Sequence, residues 1–364
     1  MPAPSTIAGR AARWATLVAV SAVVALGFTA LRLPGAFLIG PLVAAIVVRL
    51  AGVELRVPRP AFLGAQAFVG GMIGAILTPS IVHTFVADWP VIAVTVLAIV
   101  VVASTSGWAL SRFGVVPGTT GVWGSSPGAA SAMVVLSEAH GGDVRLVAFM
   151  QYLRVLFVAS TASIVARVWI GRDAAAAAVP ADLFPPVDAR GLALTVAIVA
   201  VAALLGLLSR LPSGAMLGPL FAAAILHGSG TVDFVFPPWL MTIAYAGLGW
   251  TFGLQFTRAA LDHAARALPW IVLSILVLMG ASAGMAVLLV KTLGVDPLTA
   301  YLATSPGGMD TVAIVAAASP VDLSFVMALQ AMRFFVLILI GPTLSKWVAR
   351  RLVGTGAMPH PHGR

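Results

Sequence analysis

The chain has 364 residues, 60% of them hydrophobic and only 9% charged, with a mean hydropathy of +1.05. Soluble domains carry about a quarter charged residues, so a soluble globular fold is excluded and a polytopic membrane protein is implied. The net charge of +9 then belongs to short cytoplasmic loops rather than to a nucleic-acid surface, and the absence of cysteine excludes disulfides, thiolate metal sites and cysteine nucleophiles.

In chain order, Arg10 and Arg13 precede an apolar run at 15–31 laid out like a signal peptide. Hydrophobicity resumes beyond Pro34, so the run reads as a retained first span. Further segments of roughly bilayer length are expected at 36–51, 61–77, 90–110, 117–137 and 145–170. A more polar, Ala- and Pro-rich stretch at 171–190 reads as a linker. The series restarts at 191–208, 214–228, 238–256, 269–293, 298–318 and 323–348, and 349–364 reads as a disordered tail. The segments after Pro34, Pro127, Pro212 and Pro306 suit half-helices or re-entrant hairpins.

The second series copies the first. Arg32-Leu33-Pro34 with Gly40-Pro41-Leu42 returns in the second half as Arg210-Leu211-Pro212 with Gly218-Pro219-Leu220. Pro127, Asp143, Gln151 and Arg154 return, with their mutual spacing unchanged, as Pro306, Asp322, Gln330 and Arg333. A period of roughly 180 residues suits a duplicated transporter rather than a solenoid. The expected fold is all-α, with about 10–12 transmembrane segments in two homologous repeats, 1–170 and 191–348. Six crossings per half would make the repeats parallel and gather Arg10, Arg13, Arg167, Arg172, Lys346, Arg350 and Arg351 on one side. The loop with Arg258, His263 and Arg266 then falls on the wrong side. One re-entrant segment per half would make the repeats inverted, and both arrangements stay open.

The candidate binding site is the most polar part of each copy: Ser126, Pro127, Gly128, Gln151 and Arg154, with Ser305, Pro306, Gly307, Gly308, Asp310, Gln330 and Arg333. Ser-Pro-Gly breaks a helix, and broken backbone is tolerated in a membrane only when buried in protein or lining a cavity. Gln and Arg three residues apart share one helix face. A mid-membrane arginine costs about 2.5–3.5 kcal/mol on insertion scales, so it must face protein or water. Three roles are open for Arg154 and Arg333: binding a carboxylate or phosphate, pairing with Asp143 and Asp322, or capping carbonyls freed by the break. Asp310 suits either a helix cap or a protonatable coupling group.

Gly70-x-x-x-Gly74, Gly214-x-x-x-Gly218 and Gly249-x-x-x-Gly253 predict close helix packing, and Gln66, Tyr245 and Gln255, in or near spans, suit interhelical hydrogen bonds, with lining of the interior as the alternative. The histidines show no metal-ligand spacing outside the terminal His360-Pro-His362, and no nucleophile elbow, phosphate loop or dinucleotide fingerprint occurs. No enzyme activity, cofactor or metal is expected.

The duplicated Leu-Pro with Gly-Pro-Leu, the Ser-Pro-Gly elements and the Asp then Gln-x-x-Arg block resemble the AbrB duplication family of bacterial inner-membrane proteins, over nearly the whole chain. The resemblance implies a multi-pass protein of the bacterial inner membrane. Family members carry labels of gene-expression regulator or ammonia monooxygenase; the second needs a metal site that these residues do not supply. The polar segments are too short for a DNA-reading module. The function expected is a secondary transporter or permease for a small anionic solute, bound where the repeats meet. The alternative is a membrane-embedded regulator acting through a partner. The expected partners are the lipid bilayer and the solute, without nucleic acid, and a homo-oligomer is compatible with the sequence.

Overall fold

The structure, a computed structural model, describes residues 7–31, 35–76, 89–127, 133, 137, 141–177, 183–209, 214–307, 312, 315–317, 319–330, 332–333, 336–337, 343 and 347. It is 80% helical, with no strand among those residues. The helices are α1 (Ile7–Ala30), α2 (Ala36–Leu50), α3 (Arg59–Ile76), α4 (Trp89–Arg112), α5 (Thr120–Ser125), α6 (Val144–Ala177), α7 (Ala189–Leu208), α8 (Gly214–Gly228), α9 (Pro238–Gly253), α10 (Arg258–Ala264), α11 (Leu268–Leu293) and α12 (Pro297–Thr304). A further helix, α13, occupies 323–330. The residues around Pro34 and Pro212, and the tail 349–364, lie outside the described residues.

Five of these helices are long and apolar enough to cross a membrane: Gly9–Ala30, Trp89–Arg112, Val144–Val165, Ala189–Leu208 and Leu268–Leu293. α2 and α8, at 15 residues each, reach only about 22 Å at 1.5 Å per residue, short of a ~30 Å hydrocarbon core. Two differences from the expected spans have local causes. The segments at 117–137 and 298–318 are not continuous, because α5 and α12 stop ahead of Pro127 and Pro306. α6 runs on to Ala177, into the expected linker, because 174–177 is a run of alanines with high helix propensity. Asp188 then starts α7, its carboxylate accepting from the Arg190 and Gly191 amides at 3.1 and 2.9 Å.

The chain forms two compact units, each drawing on both sequence halves. Unit 1 comprises Met1–Thr78, Ala159–Arg258 and Ala317–Pro320; unit 2 comprises Pro79–Val158, Ala259–Ala316 and Val321–Arg364.

In unit 1 the glycines set the contacts. A Cβ at Gly70 or Gly74 of α3 would strike the Met216 or Leu220 carbonyl of α8, so these backbones touch and run parallel. The same contact recurs, in the register of the duplication, between Gly249 and Gly253 of α9 and the Leu38 and Leu42 carbonyls of α2. Each half therefore packs its third helix against the second helix of the other half. Ala25 meets Gly40 while Leu17 clusters with Ala45 and Val48, so α1 is antiparallel to α2. Gly206 meets Gly214 and Gly218 meets Ala202, so α7 is antiparallel to α8. Ala65 lies near Gly247, and Tyr245 Oη donates to Met72 Sδ at 3.2 Å, so α9 is antiparallel to α3. It follows that α2 and α8, which occupy matching places in the sequence, run in opposite directions.

Gly74→Leu is expected to force α3 and α8 apart, an overpacking cost of about 1–3 kcal/mol, and to lower the melting temperature in detergent. Gly64→Leu on the same helix, where an added Cβ meets nothing within 4 Å, should leave it nearly unchanged.

In unit 2, α4 and α11 pack through Ile99, Ala103 and Leu278. Phe113 and Leu110, at the end of α4, share an apolar groove with Trp270 and Leu273, at the start of α11, so these matched helices are also antiparallel. α5 lies against α4 through mutual contact of Gly107 and Gly121.

Candidate functional site

Each Ser-Pro creates a hydrogen-bonding defect that can be located from the sequence. In a continuous helix the Trp123 carbonyl would accept from the amide of residue 127, and the Leu302 carbonyl from that of residue 306. Both residues are prolines and have no N–H. Gln151 of α6 supplies the missing donor: its Nε2 reaches the Trp123 carbonyl at 2.7 Å and the Ser126 carbonyl at 3.0 Å. Gln330 of α13 repeats this at the Leu302 carbonyl (2.9 Å) and the Ser305 carbonyl (3.0 Å).

The arginines complete the same task. Arg154 Nη1 donates to the Ser126 carbonyl at 2.9 Å and Nη2 to Gln151 Oε1 at 2.6 Å. Arg333 Nη1 donates to the Ser305 carbonyl at 2.6 Å; Nη2 donates to the Gly307 carbonyl at 2.8 Å and to Gln330 Oε1 at 2.5 Å. A positive charge at the carbonyl end of a helix also complements the helix dipole. Of the three roles open in the sequence, carbonyl capping is present in both copies.

Pairing of the arginines with Asp143 and Asp322 is not found. Asp143 instead starts α6, which carries Gln151 and Arg154, and Asp322 starts α13, which carries Gln330. Asp143 Oδ1 accepts from the Arg145 and Leu146 amides at 3.0 and 3.1 Å, and Asp322 Oδ1 from the Phe325 amide at 2.9 Å. The amides of Asp143 and Asp322 in turn donate to Thr120 Oγ1 (2.8 Å) and Thr299 Oγ1 (3.2 Å). These threonines were missed as site residues, although they keep the register of the prolines and aspartates, and extending that register upstream would have found them.

The capping is incomplete. Arg154 and Arg333 are 1% and 2% exposed, yet the Nε of each lacks a hydrogen-bond partner, as does Ser305 Oγ. Among the described residues neither guanidinium meets a carboxylate, and the charge of Arg154 acts on Arg333. Ser126 Oγ, by contrast, donates to the Val122 carbonyl at 2.7 Å. Of the remaining expected residues, Pro127, Pro306 and Gly307 sit on the breaks, and a Cβ at Gly307 would press on Val158, one turn beyond Arg154. Gly128, Gly308 and Asp310 lie outside the described residues. Among the described residues no three His, Asp or Glu side chains come together as a metal site would require.

The two copies differ at one aspartate. Asp143 Oδ2 meets His263 Nε2 of α10 at 2.8 Å. Burial pushes the Asp143 carboxyl up, but the His263 contact and the Leu146 and Arg145 amides outweigh it and hold it below the usual carboxylate range. This stabilisation is present above the pH at which a free aspartate titrates and is lost as pH falls through the lowered folded value. His263→Ala, by removing the contact that holds the Asp143 carboxyl low, should therefore move the acid edge of the melting-temperature profile upward, toward the pH at which a free aspartate titrates.

Residues 37–349 match the family model described as "Transition state regulatory protein AbrB". The chain belongs to the AbrB family. The AbrB match begins in α2 and extends past α13, so it spans both copies of the capping network. A relative from Escherichia coli (strain K12), named "Putative regulator AbrB", is 44% identical over 93% of this chain and 97% of its own length. "Uncharacterized protein YhjN" of Bacillus subtilis (strain 168) is 24% identical over 76% of each chain.

Proposed function

We propose that this AbrB-family chain is a secondary transporter or permease for a small anion in the bacterial inner membrane, and not an enzyme. The observation that carries the proposal is the pair of buried guanidiniums at mirrored helix breaks. They carry two positive charges, have no carboxylate partner among the described residues, and leave the Nε of each unpaired. Leaving such groups unpaired away from water is costly, and a carboxylate or phosphate would offset that cost at the moment of binding. Solute sites of secondary transporters lie at discontinuous helices of inverted repeats. The opposite directions of α2 and α8, and of α4 and α11, support that topology with an odd number of crossings per half. The Arg258 Nε bond to the Leu50 carbonyl, 3.0 Å, also supports it, because it puts Arg258 at the end where α1 begins with Arg10 and Arg13 and so removes the exception to the positive-inside rule.

The test is a melting-temperature screen of the purified protein against small carboxylates, phosphates and sulfonates, followed by uptake of the best anion into proteoliposomes. A ligand at about a hundred times its dissociation constant stabilises by roughly 2.7 kcal/mol, which such a screen resolves. The name of the Escherichia coli relative favours a second reading, a membrane regulator acting through a partner and without direct nucleic-acid binding. A specific soluble protein recovered by crosslinking, with no anion response and no uptake, would select it.

A further inference from the structure

Unit 1 carries a second concentration of positive charge. Arg10 and Arg13 at the start of α1, Arg49 in the last turn of α2 and Arg56 in the loop beyond it line one pocket of about 280 Å³, together with Trp14 and Glu54. Among the described residues Glu54 is the only carboxylate lining it; it meets Arg49 at 3.7 Å and its side chain is 80% exposed, so it screens little of the charge. Four guanidiniums around one cavity repel one another unless an anion sits among them.

The pocket wall suits the bilayer boundary. Trp14 packs edge-on against Trp250 with ring centroids 5.8 Å apart, and Trp250 Nε1 donates to Ser21 Oγ at 2.8 Å. Tryptophans in this position characterise the membrane interface. From the pocket, α1 presents Val18, Ala22 and Leu26, spaced four apart and all exposed, as an apolar track down one face of the same helix. A free phosphate would use the guanidiniums alone, whereas an anionic phospholipid would use both the charge and the track. Basic pockets between transmembrane helices recognise such headgroups.

We propose that the Arg10, Arg13, Arg49 and Arg56 pocket binds the headgroup phosphate of an anionic phospholipid, with the acyl chains along α1. The choline of a zwitterionic lipid would bring a cation into the same pocket, so phosphatidylglycerol is selected over phosphatidylcholine of equal chain length.

Native mass spectrometry of the full chain, titrated with each of these two lipids and with inorganic phosphate, tests this. Phosphatidylglycerol should bind more tightly than phosphatidylcholine and should not be displaced by an equal concentration of inorganic phosphate. Arg13→Gln combined with Arg56→Gln should weaken phosphatidylglycerol about thirtyfold, from two surface charges. Glu54→Gln should tighten it, a gain that a misfolded variant cannot give. Equal binding of the two lipids, displacement by inorganic phosphate, or an unchanged affinity in either variant would overturn the proposal.

Discussion

Arg333→Gln is expected to give a protein that still folds but no longer responds to anions. The substitution removes the donors to the Gly307 carbonyl and Gln330 Oε1, while the Ser305 carbonyl keeps its bond from Gln330 Nε2 at 3.0 Å. A buried acceptor without a donor costs about 1–3 kcal/mol, and removing a buried charge returns part of its desolvation penalty. The net loss should thus be at most a few degrees of melting temperature, at about 1–2 °C per kcal/mol for a chain of 364 residues. The anion-dependent rise in melting temperature and the uptake should both disappear, because half of the positive charge at the breaks is gone.

Arg333→Lys sharpens the test. An ammonium keeps the charge but cannot present the planar fork that spans the Ser305 and Gly307 carbonyls, so stability should fall as in the Gln variant while some anion response remains. If Arg333→Gln melts early yet takes up the anion at the wild-type rate, the guanidinium serves only the carbonyls and the proposed site is wrong. Arg154→Gln, in the matching position, should behave in the same way.

The helices and the two breaks were legible in the sequence because they rest on local chemistry. Long uncharged runs have few alternatives to helix in a bilayer, and Pro127 and Pro306 each delete a donor whose acceptor can be counted back along the helix. The Gln and Arg were legible as a pair because spacing of three puts them on one face. Their partners were not legible. Whether Arg154 meets Asp143 or the Ser126 carbonyl depends on how α6 is rotated against α5, and helical spacing fixes only relative positions within one helix. The same limit hid the interleaving of the halves. The repeated Gly-Pro-Leu identifies α2 with α8, but only the contacts of α3 with α8, of α9 with α2 and of α9 with α3 give their directions. His263, by sequence an isolated loop histidine, gained a role only once α10 brought it to Asp143.

Those directions yield an all-or-none prediction. Ala51 follows α2, Ser229 follows α8 at the equivalent place in the second half, and both are exposed. Since α2 and α8 run in opposite directions, these equivalent positions should emerge on opposite faces of the membrane. Arg10, Arg13 and Arg258 gather at the Ala51 end, which the positive-inside rule assigns to the cytoplasm. The chain has no cysteine, so single substitutions can be read without background. In intact cells a membrane-impermeant maleimide should label Ser229→Cys and leave Ala51→Cys untouched until the membrane is opened. Parallel repeats would place both positions on the same face, and equal labelling of the two variants in intact cells would therefore rule out the inverted topology and, with it, a solute site shared by mirrored helix breaks.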